Sequence, residues 1–369
     1  MKIVIIGGYG VFGSLTARLL ARDGHQLWLA GRNPEKAREL AKELGAETLK
    51  VDIHGAPEAL FGPSPDVVID AAGPYQHYGA DPYLIPRLCV EYGCNYLDLS
   101  DSSEFTRGVS VLDEAAKDSG VFVLSGASSV PGLSSIVIDD LVDGLEDIEL
   151  VDTAILPGNR APRGMSVIKS IVSGVGRPSK VLRDGKWETL RGWSDRKIYE
   201  LAPGLRRAAY FVDVPDIQLL PERIKARSVM FRAGLELPVM NWSLSALGWL
   251  RRYWRLELPE LAYSVLQMLS KAVFAFGTDR GGMQVSIVGR CGNERVCRKW
   301  VLVAEEGDGP YVPGMACRAV LREIETIAPG ARPCLGEVPL GVIEDALSDL
   351  AITTEASEEV LENPDWQQA

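Results

Sequence analysis

A glycine-rich turn between an apolar strand and a helix opens the chain and constrains its fold more than any other feature. The run Lys2–Ile6 is typical of a buried strand, Gly-x-Gly-x-x-Gly follows at once, and a helical stretch from Leu15 ends before Gly24. The glycine pattern alone is weak, but the order strand, turn and helix is the context of a dinucleotide fingerprint. A purely structural turn is the alternative interpretation. The residues expected to contact the dinucleotide are Gly8, Tyr9, Gly10, Val11, Phe12 and Gly13.

The spacing of the three glycines has a physical reason. The first permits the tight turn, the second lets backbone approach a pyrophosphate, and the third lets the helix pack close to the strand. The amides and the dipole at the helix N-terminus then favour the bound phosphates.

Composition excludes several classes of protein. With 369 residues, the chain is long enough for two domains, and 46% hydrophobic and 24% charged residues are typical of a soluble globular protein. A net charge of −11 argues against a nucleic-acid partner. The six cysteines form no Cys-x-x-Cys pair or Cys/His cluster, so we expect no metal site and a cytoplasmic location. Charged residues interrupt the most apolar stretch, so no transmembrane segment is expected.

Strands and helices alternate over residues 1–135, which predicts a doubly wound parallel sheet of the Rossmann type. Residues 136–308 carry longer strand-like segments, hairpin turns and two helical stretches. They predict a second α+β domain, for substrate binding or dimerisation, whose sheet is mostly antiparallel. Residues 309–350 are expected to form a helical segment and 351–369 an acidic tail, which we expect to be frayed from Ser357 onward. The predicted strands of the first domain are Lys2–Ile6, Gln26–Ala30, Thr48–Val51, Val67–Ala71, Tyr96–Leu99 and Val121–Leu124.

The end of the second predicted strand indicates which dinucleotide binds. NAD sites place an acidic residue there, whereas this chain has Arg32 followed by Asn33. Arginine can hold the 2′-phosphate of NADP through charge-assisted hydrogen bonds, although a solvated loop arginine is the alternative. We therefore expect NADP, with NAD as the second choice. Asp52, after the third strand, either approaches the adenine or stabilises a turn.

The segment after the fourth strand supplies the candidate catalytic residues. Small residues there let the backbone lie against the cofactor near the nicotinamide ribose. Tyr75, His77 and Tyr78 are then the best-placed proton donors, and we expect proton transfer from Tyr75 or His77. The cofactor contacts expected here are Ala72, Gly73, Pro74 and Tyr75.

The chain resembles the saccharopine dehydrogenase-like family of NAD(P)-dependent oxidoreductases. The pieces that carry the resemblance are Gly7 to Gly13, Ala30-Gly31-Arg32, Ala72-Gly73-Pro74-Tyr75 with Tyr78-Gly79, Asn95 to Ser100 and Ser125 to Ser135. The resemblance implies hydride transfer with a nicotinamide cofactor, and a carboxyl-terminal helix that packs back on the first domain. The family's usual Gly-Glu after the fifth strand is replaced by Asp101-Ser102-Ser103-Glu104, and the second domain offers no residue-by-residue match.

The expected function is that of an NADP-dependent oxidoreductase acting on a small metabolite. The resemblance favours an imine or opine-like amino acid, which loop arginines such as Arg160 or Arg163 could hold by a carboxylate. One alternative is a non-catalytic NADP-binding sensor or scaffold. Another is a reductase of a lipid-like substrate, suggested by the aromatic and basic segment Trp242–Trp254, for which an amphipathic helix packed on the second domain is the simpler explanation. A homodimer is compatible with all three.

Overall fold

The computed structural model describes residues 1–75, 78, 79, 81–254 and 258–362, apart from the side chain of Lys271. The strands are β1 (Lys2–Ile6), β2 (Gln26–Gly31), β3 (Glu47–Lys50), β4 (Val67–Asp70), β5 (Asn95–Asp98), β6 (Phe122–Ser125), β7 (Asp147–Leu156), β8 (Pro178–Arg183), β9 (Lys186–Arg191), β10 (Lys197–Ala202), β11 (Leu205–Phe211), β12 (Ser228–Ala233), β13 (Gly281–Cys291), β14 (Glu294–Ala304), β15 (Gly330–Pro333) and β16 (Ile352–Val360). The helices are α1 (Val11–Arg22), α2 (Arg38–Leu44), α3 (Leu84–Glu91), α4 (Ser103–Gly108), α5 (Asp113–Asp118), α6 (Ser134–Val142), α7 (Met165–Gly174), α8 (Pro215–Ile224), α9 (Pro238–Tyr253), α10 (Glu260–Ala272), α11 (Met315–Arg322) and α12 (Leu340–Leu347).

The chain divides into two compact units. The first comprises Met1–Leu133 with Tyr311–Ala346, and the second Ser134–Pro310 with Leu347–Ala369. The sequence patterns predict domain boundaries at residues 135, 308 and 350. Each unit contains its own sheet.

The first unit contains a parallel sheet in the order β15-β6-β5-β4-β1-β2-β3. Its central strands are apolar and buried, as expected where crossover helices cover both faces. The predicted Rossmann fold is confirmed. Because β1 lies between β2 and β4, the strand order reverses at β1, and the loops after β1 and β4 share the edge where such folds bind ligands.

The carboxyl-terminal segment adds an element that the sequence did not indicate. Strand β15 pairs in parallel with β6 and extends the sheet. Helix α11 is almost completely buried and packs against α1, where Gly314 leaves room for Thr16. The buried Arg318 donates hydrogen bonds to both carboxylate oxygens of Asp23, at 2.8 and 2.7 Å. These contacts attach the segment to the first unit.

The second unit contains a mixed sheet in the order β10-β11-β12-β7-β13-β14-β16, with β8 and β9 attached at β12. Of the pairs between its named strands, β12 with β7 is parallel and the others are antiparallel, so the predicted, mostly antiparallel sheet is confirmed. The prediction of a frayed tail is wrong for Ser357–Val360, because Ile352–Val360 pairs with Val296–Ala304 of β14 as an edge strand. Its exposed glutamates gave this strand the composition of a solvated tail.

Candidate functional site

The glycine turn after β1 is shaped by close backbone contacts. Gly7 has a φ of +70°, which favours glycine, and its carbonyl oxygen accepts a 2.7 Å hydrogen bond from the Gly10 amide. A Cβ on Gly13 would lie 2.2 Å from that same oxygen. The start of α1 therefore rests directly on the turn, as the third glycine of a dinucleotide fingerprint requires.

The N-terminus of α1 is available for an anion. Gly10 caps the helix in an extended conformation, and within the described residues no side chain caps it and its first turn contains no acidic residue. Amides at such a helix start point outward, and the helix dipole adds positive potential. This geometry fits the pyrophosphate of a dinucleotide.

Tyr9 connects the turn to the end of β2. Its ring lies over Gly31, where a Cβ would come within 2.4 Å of the hydroxyl oxygen. The same hydroxyl accepts a 3.1 Å hydrogen bond from the Asn33 amide. Tyr9 and Asn33, both predicted cofactor contacts, thereby fix the loop that presents Arg32.

Arg32 lies exposed at the end of β2, and the described part of the chain offers its guanidinium no ion pair or hydrogen bond. Arg38, by contrast, pairs with Glu35 at 2.7 Å. An unpaired arginine at the end of the second strand fits a 2′-phosphate. Asp52 accepts a 3.1 Å hydrogen bond from the His54 amide, which gives it the turn-stabilising role that the sequence left open.

The segment after β4 carries the other predicted contacts. Ala72, Gly73 and Pro74 are half-buried, the Gly73–Pro74 peptide is cis, and the Ala72 amide donates to Asp70 Oδ1 at 3.0 Å. A Cβ on Gly7 would lie 2.9 Å from Ala72 Cα, so this segment touches the glycine turn. The two predicted groups of cofactor contacts are therefore adjacent.

Tyr75 does not suit the predicted proton transfer. Its buried hydroxyl donates to the Asp70 carbonyl oxygen at 2.6 Å and accepts from the Leu99 amide at 3.1 Å. Burial raises the pKa of the Tyr75 and Tyr78 hydroxyls alike, so it is the hydrogen bonding that distinguishes the two residues. Because its proton is held between the ends of β4 and β5, we assign Tyr75 a structural role. His77, the other predicted catalytic residue, lies outside the described residues.

Tyr78 and Asp70 form a pair that is better suited to move a proton. The half-buried Tyr78 hydroxyl lies 2.9 Å from both carboxylate oxygens of Asp70 and donates to them. Burial raises the pKa of Asp70 to about 6, although hydrogen bonds from Ala72 and Tyr78 oppose the shift. A carboxyl group that titrates near neutral pH can both accept and return a proton.

Asp98 lies beside Asp70 at the end of the neighbouring strand. The two residues are partners in the register of β4 and β5, and both are completely buried. Asp98 Oδ1 accepts from the amides of Ser100 and Gly126 and from Ser125 Oγ, whereas Oδ2 has no partner among the described residues. Burial, and to a smaller extent the charge of Asp70, raise the pKa of Asp98 to about 7. Sequence reasoning missed this cluster, although an acid closing each of two apolar strands was its visible signal.

The described residues contain no group of three or more His, Cys, Asp or Glu side chains arranged to hold a metal ion. Within the same residues, no helix combines the length and apolar character needed to cross a bilayer.

Comparison with known proteins finds a family match in the amino-terminal part of the first unit. The saccharopine dehydrogenase NADP binding domain matches residues 3–124, and this stretch is therefore similar to that domain. The resemblance inferred from the glycine turn, Ala30-Gly31-Arg32 and the segment after β4 is confirmed, and the match supports the predicted NAD(P)-dependent oxidoreductase.

Two curated relatives match only part of the chain. A putative trans-acting enoyl reductase of Mycobacterium tuberculosis is 30% identical over 140 residues, which are 35% of this chain and 33% of the relative. A glutamyl-tRNA reductase of Methanococcoides burtonii is 46% identical over 52 residues, or 14% of this chain and 12% of the relative. The matched part thus spans a third or less of the length of these relatives.

One solved structure shares the fold of both units. The apo saccharopine dehydrogenase (L-Glu forming) of Saccharomyces cerevisiae aligns over 96% of this chain and 99% of its own, with a TM-score of 0.67. Sequence identity is 15%, so the likeness extends the shared architecture beyond the NADP-binding domain without specifying a substrate.

Proposed function

We propose that this chain is an NADP-dependent oxidoreductase that transfers hydride between the nicotinamide cofactor and a small metabolite. One observation carries the proposal: the uncapped start of α1 lies beside an exposed, unpaired Arg32 at the end of β2. Bound cofactor would supply the hydride when the substrate is reduced and accept it when the substrate is oxidised. The amides of the glycine turn would hold its pyrophosphate, and Arg32 would bind its 2′-phosphate. Ala72, Gly73 and Pro74 would lie against the nicotinamide ribose.

The Tyr78–Asp70 pair would move the proton that accompanies hydride transfer. When a substrate is oxidised, the Tyr78 oxygen would accept its proton while Tyr78 passes its own hydroxyl proton to Asp70. In the reductive direction the same two steps would run in reverse. Two features support this role: the hydrogen bond from Tyr78 to Asp70 and the pKa of about 6 at Asp70.

A carboxylate-bearing substrate, such as an imine or opine-like amino acid, fits one arginine of the second unit. Arg163 Nη1 donates to Asn159 Oδ1 at 3.1 Å, but its buried Nη2 has no partner among the described residues. A buried guanidinium nitrogen without a partner is costly, and a carboxylate would satisfy it. Arg160 lies exposed nearby in sequence. An Arg163→Lys variant should raise KM for the substrate far more than it lowers kcat, since lysine keeps the charge but loses the paired donors.

The cofactor assignment can be tested with Arg32→Ala. Losing a charge-assisted contact removes about 1.5–3 kcal/mol of binding energy, which weakens NADP about 10- to 150-fold. NAD has no 2′-phosphate, so its affinity should stay the same. Titration calorimetry with both nucleotides measures the difference.

The control is Arg38→Ala, which removes an exposed arginine that already pairs with Glu35. We expect it to leave both affinities unchanged. Equal losses for NADP and NAD in Arg32→Ala would exclude a role in reading the 2′-phosphate. NADP binding without turnover on any metabolite would instead favour the non-catalytic sensor.

A further inference from the structure

Helix α9 is apolar on two opposite faces. On its inner face, Met240, Leu244 and Leu247 pack against a core cluster that contains Trp193 and Tyr210. On its outer face an exposed stripe has spacings of three, seven and four residues and comprises Val239, Trp242, Trp249 and Tyr253. Trp242 and Trp249 keep 67% and 60% of their surface exposed. A helix at the surface of a soluble domain normally turns a polar face to water. The exposed face of α9 is apolar instead.

Helix α10 repeats the pattern. It packs against α7, where Lys169 pairs with Glu260 at 2.9 Å and lies over the Tyr263 ring. Its outer face exposes Leu261, Val265, Met268 and Leu269. Helix α9 also contacts α7, because Arg251 of α9 donates hydrogen bonds to the carbonyl oxygens of Val172 and Val175 at the carboxyl end of α7. Helices α9 and α10 therefore both contact α7, and we call their two exposed stripes together the aromatic face.

Charge distinguishes α9 from the rest of the chain. The whole protein has a net charge of −11, yet Pro238–Trp254 contains no acidic residue and two arginines. Arg252 is exposed between Trp249 and Tyr253. A negatively charged surface would repel most of this molecule but attract this segment. Tryptophan, tyrosine and arginine beside aliphatic residues are the composition of helices that lie in the headgroup region of membranes.

We infer that the aromatic face binds the surface of an anionic phospholipid membrane, with α9 and α10 lying in the headgroup region. The exposed apolar side chains would enter the acyl boundary, and Arg252 would remain at the level of the phosphates. A second copy of the chain fits the charge pattern less well. It would carry the same arginines, and a symmetric contact along α9 would bring like charges together.

Vesicle sedimentation with the full chain tests the inference. We expect binding to vesicles of equal parts phosphatidylcholine and phosphatidylglycerol, and much weaker binding to phosphatidylcholine alone. The double variant Trp242→Ser, Trp249→Ser should bind the mixed vesicles at least about tenfold more weakly. The matched control is Trp187→Ser, which removes a tryptophan that is 50% exposed on β9, outside the aromatic face.

Charge reversal provides an independent measurement. Arg252→Glu should weaken binding to the mixed vesicles at least about fivefold, whereas reversal of the exposed Arg206 on β11 should not. NADP affinity, measured by calorimetry, should be unchanged in every variant, which separates membrane binding from the cofactor site. Failure of the wild-type chain to bind mixed vesicles would overturn the inference, and so would equal losses in the variants and their controls. A wild-type dimer that becomes monomeric in the double variant, without vesicle binding, would make the aromatic face an interface between two copies.

Discussion

Gly13→Ala is the sharpest perturbation of the proposed nucleotide site. The added Cβ would lie 2.2 Å from the Gly7 carbonyl oxygen, 2.9 Å from its carbonyl carbon and 3.1 Å from Gly8 Cα. All three atoms belong to backbone, so no flexible side chain can move away. To reach an ordinary contact, the start of α1 must withdraw from the turn by about 1 Å or more.

The magnitude follows from what that withdrawal removes. Hydrogen bonds from helix amides to a charged phosphate contribute about 1.5–3 kcal/mol each. Loss of one corresponds to about 10- to 150-fold weaker binding. Because the pyrophosphate is common to both nucleotides, NADP and NAD should lose affinity by the same factor. This pattern differs from the NADP-selective loss expected for Arg32→Ala. The strain should also lower the free energy of unfolding by about 1–3 kcal/mol.

The assay is titration calorimetry with both nucleotides, together with urea unfolding to measure stability. The matched control is Gly341→Ala in α12, where the new Cβ meets no atom within 4 Å. That variant should bind normally and be as stable as the wild type or slightly more so. Normal nucleotide affinity in Gly13→Ala would refute the reasoning, because a displaced helix start could not then be holding the phosphates.

Three further outcomes are expected. Tyr75→Phe should cost about 1–3 kcal/mol in urea unfolding by leaving the Leu99 amide unpaired, with turnover of the folded protein retained. Tyr78→Phe should lower kcat at least about tenfold with NADP affinity unchanged; unaltered kcat would remove Tyr78 from the mechanism. The folded-state pKa of Asp98, about 7, lies above its ordinary value, so the folded state binds the extra proton and stability falls as pH rises from about 4 through about 7. Asp98→Asn should therefore flatten the dependence of Tm on pH, and an unchanged slope would contradict the assignment.

The sequence was informative wherever a local pattern has one structural solution. The glycine spacing after β1 requires a tight turn with a helix resting on it, and the apolar runs that alternate with helices require a buried parallel sheet. The arginine that ends β2 was visible for the same reason, since its position follows from strand and turn alone. These features depend on residues only a few positions apart.

Tertiary structure decided how distant segments meet. Strand β16 pairs with β14, whose residues lie 48 to 64 positions earlier in the chain, and β15 pairs with β6, which lies 208 positions earlier. No local pattern specifies such a partner. The register of β4 with β5 places Asp70 beside Asp98, and the strand ends hold the Tyr75 hydroxyl between them. Burial then sets the chemistry, because removing a carboxyl from water raises its pKa only once the surrounding chain has closed over it. Residue identity fixed the local turns and strands by itself, whereas pairing and desolvation, which exist only in the folded chain, selected the groups able to move a proton.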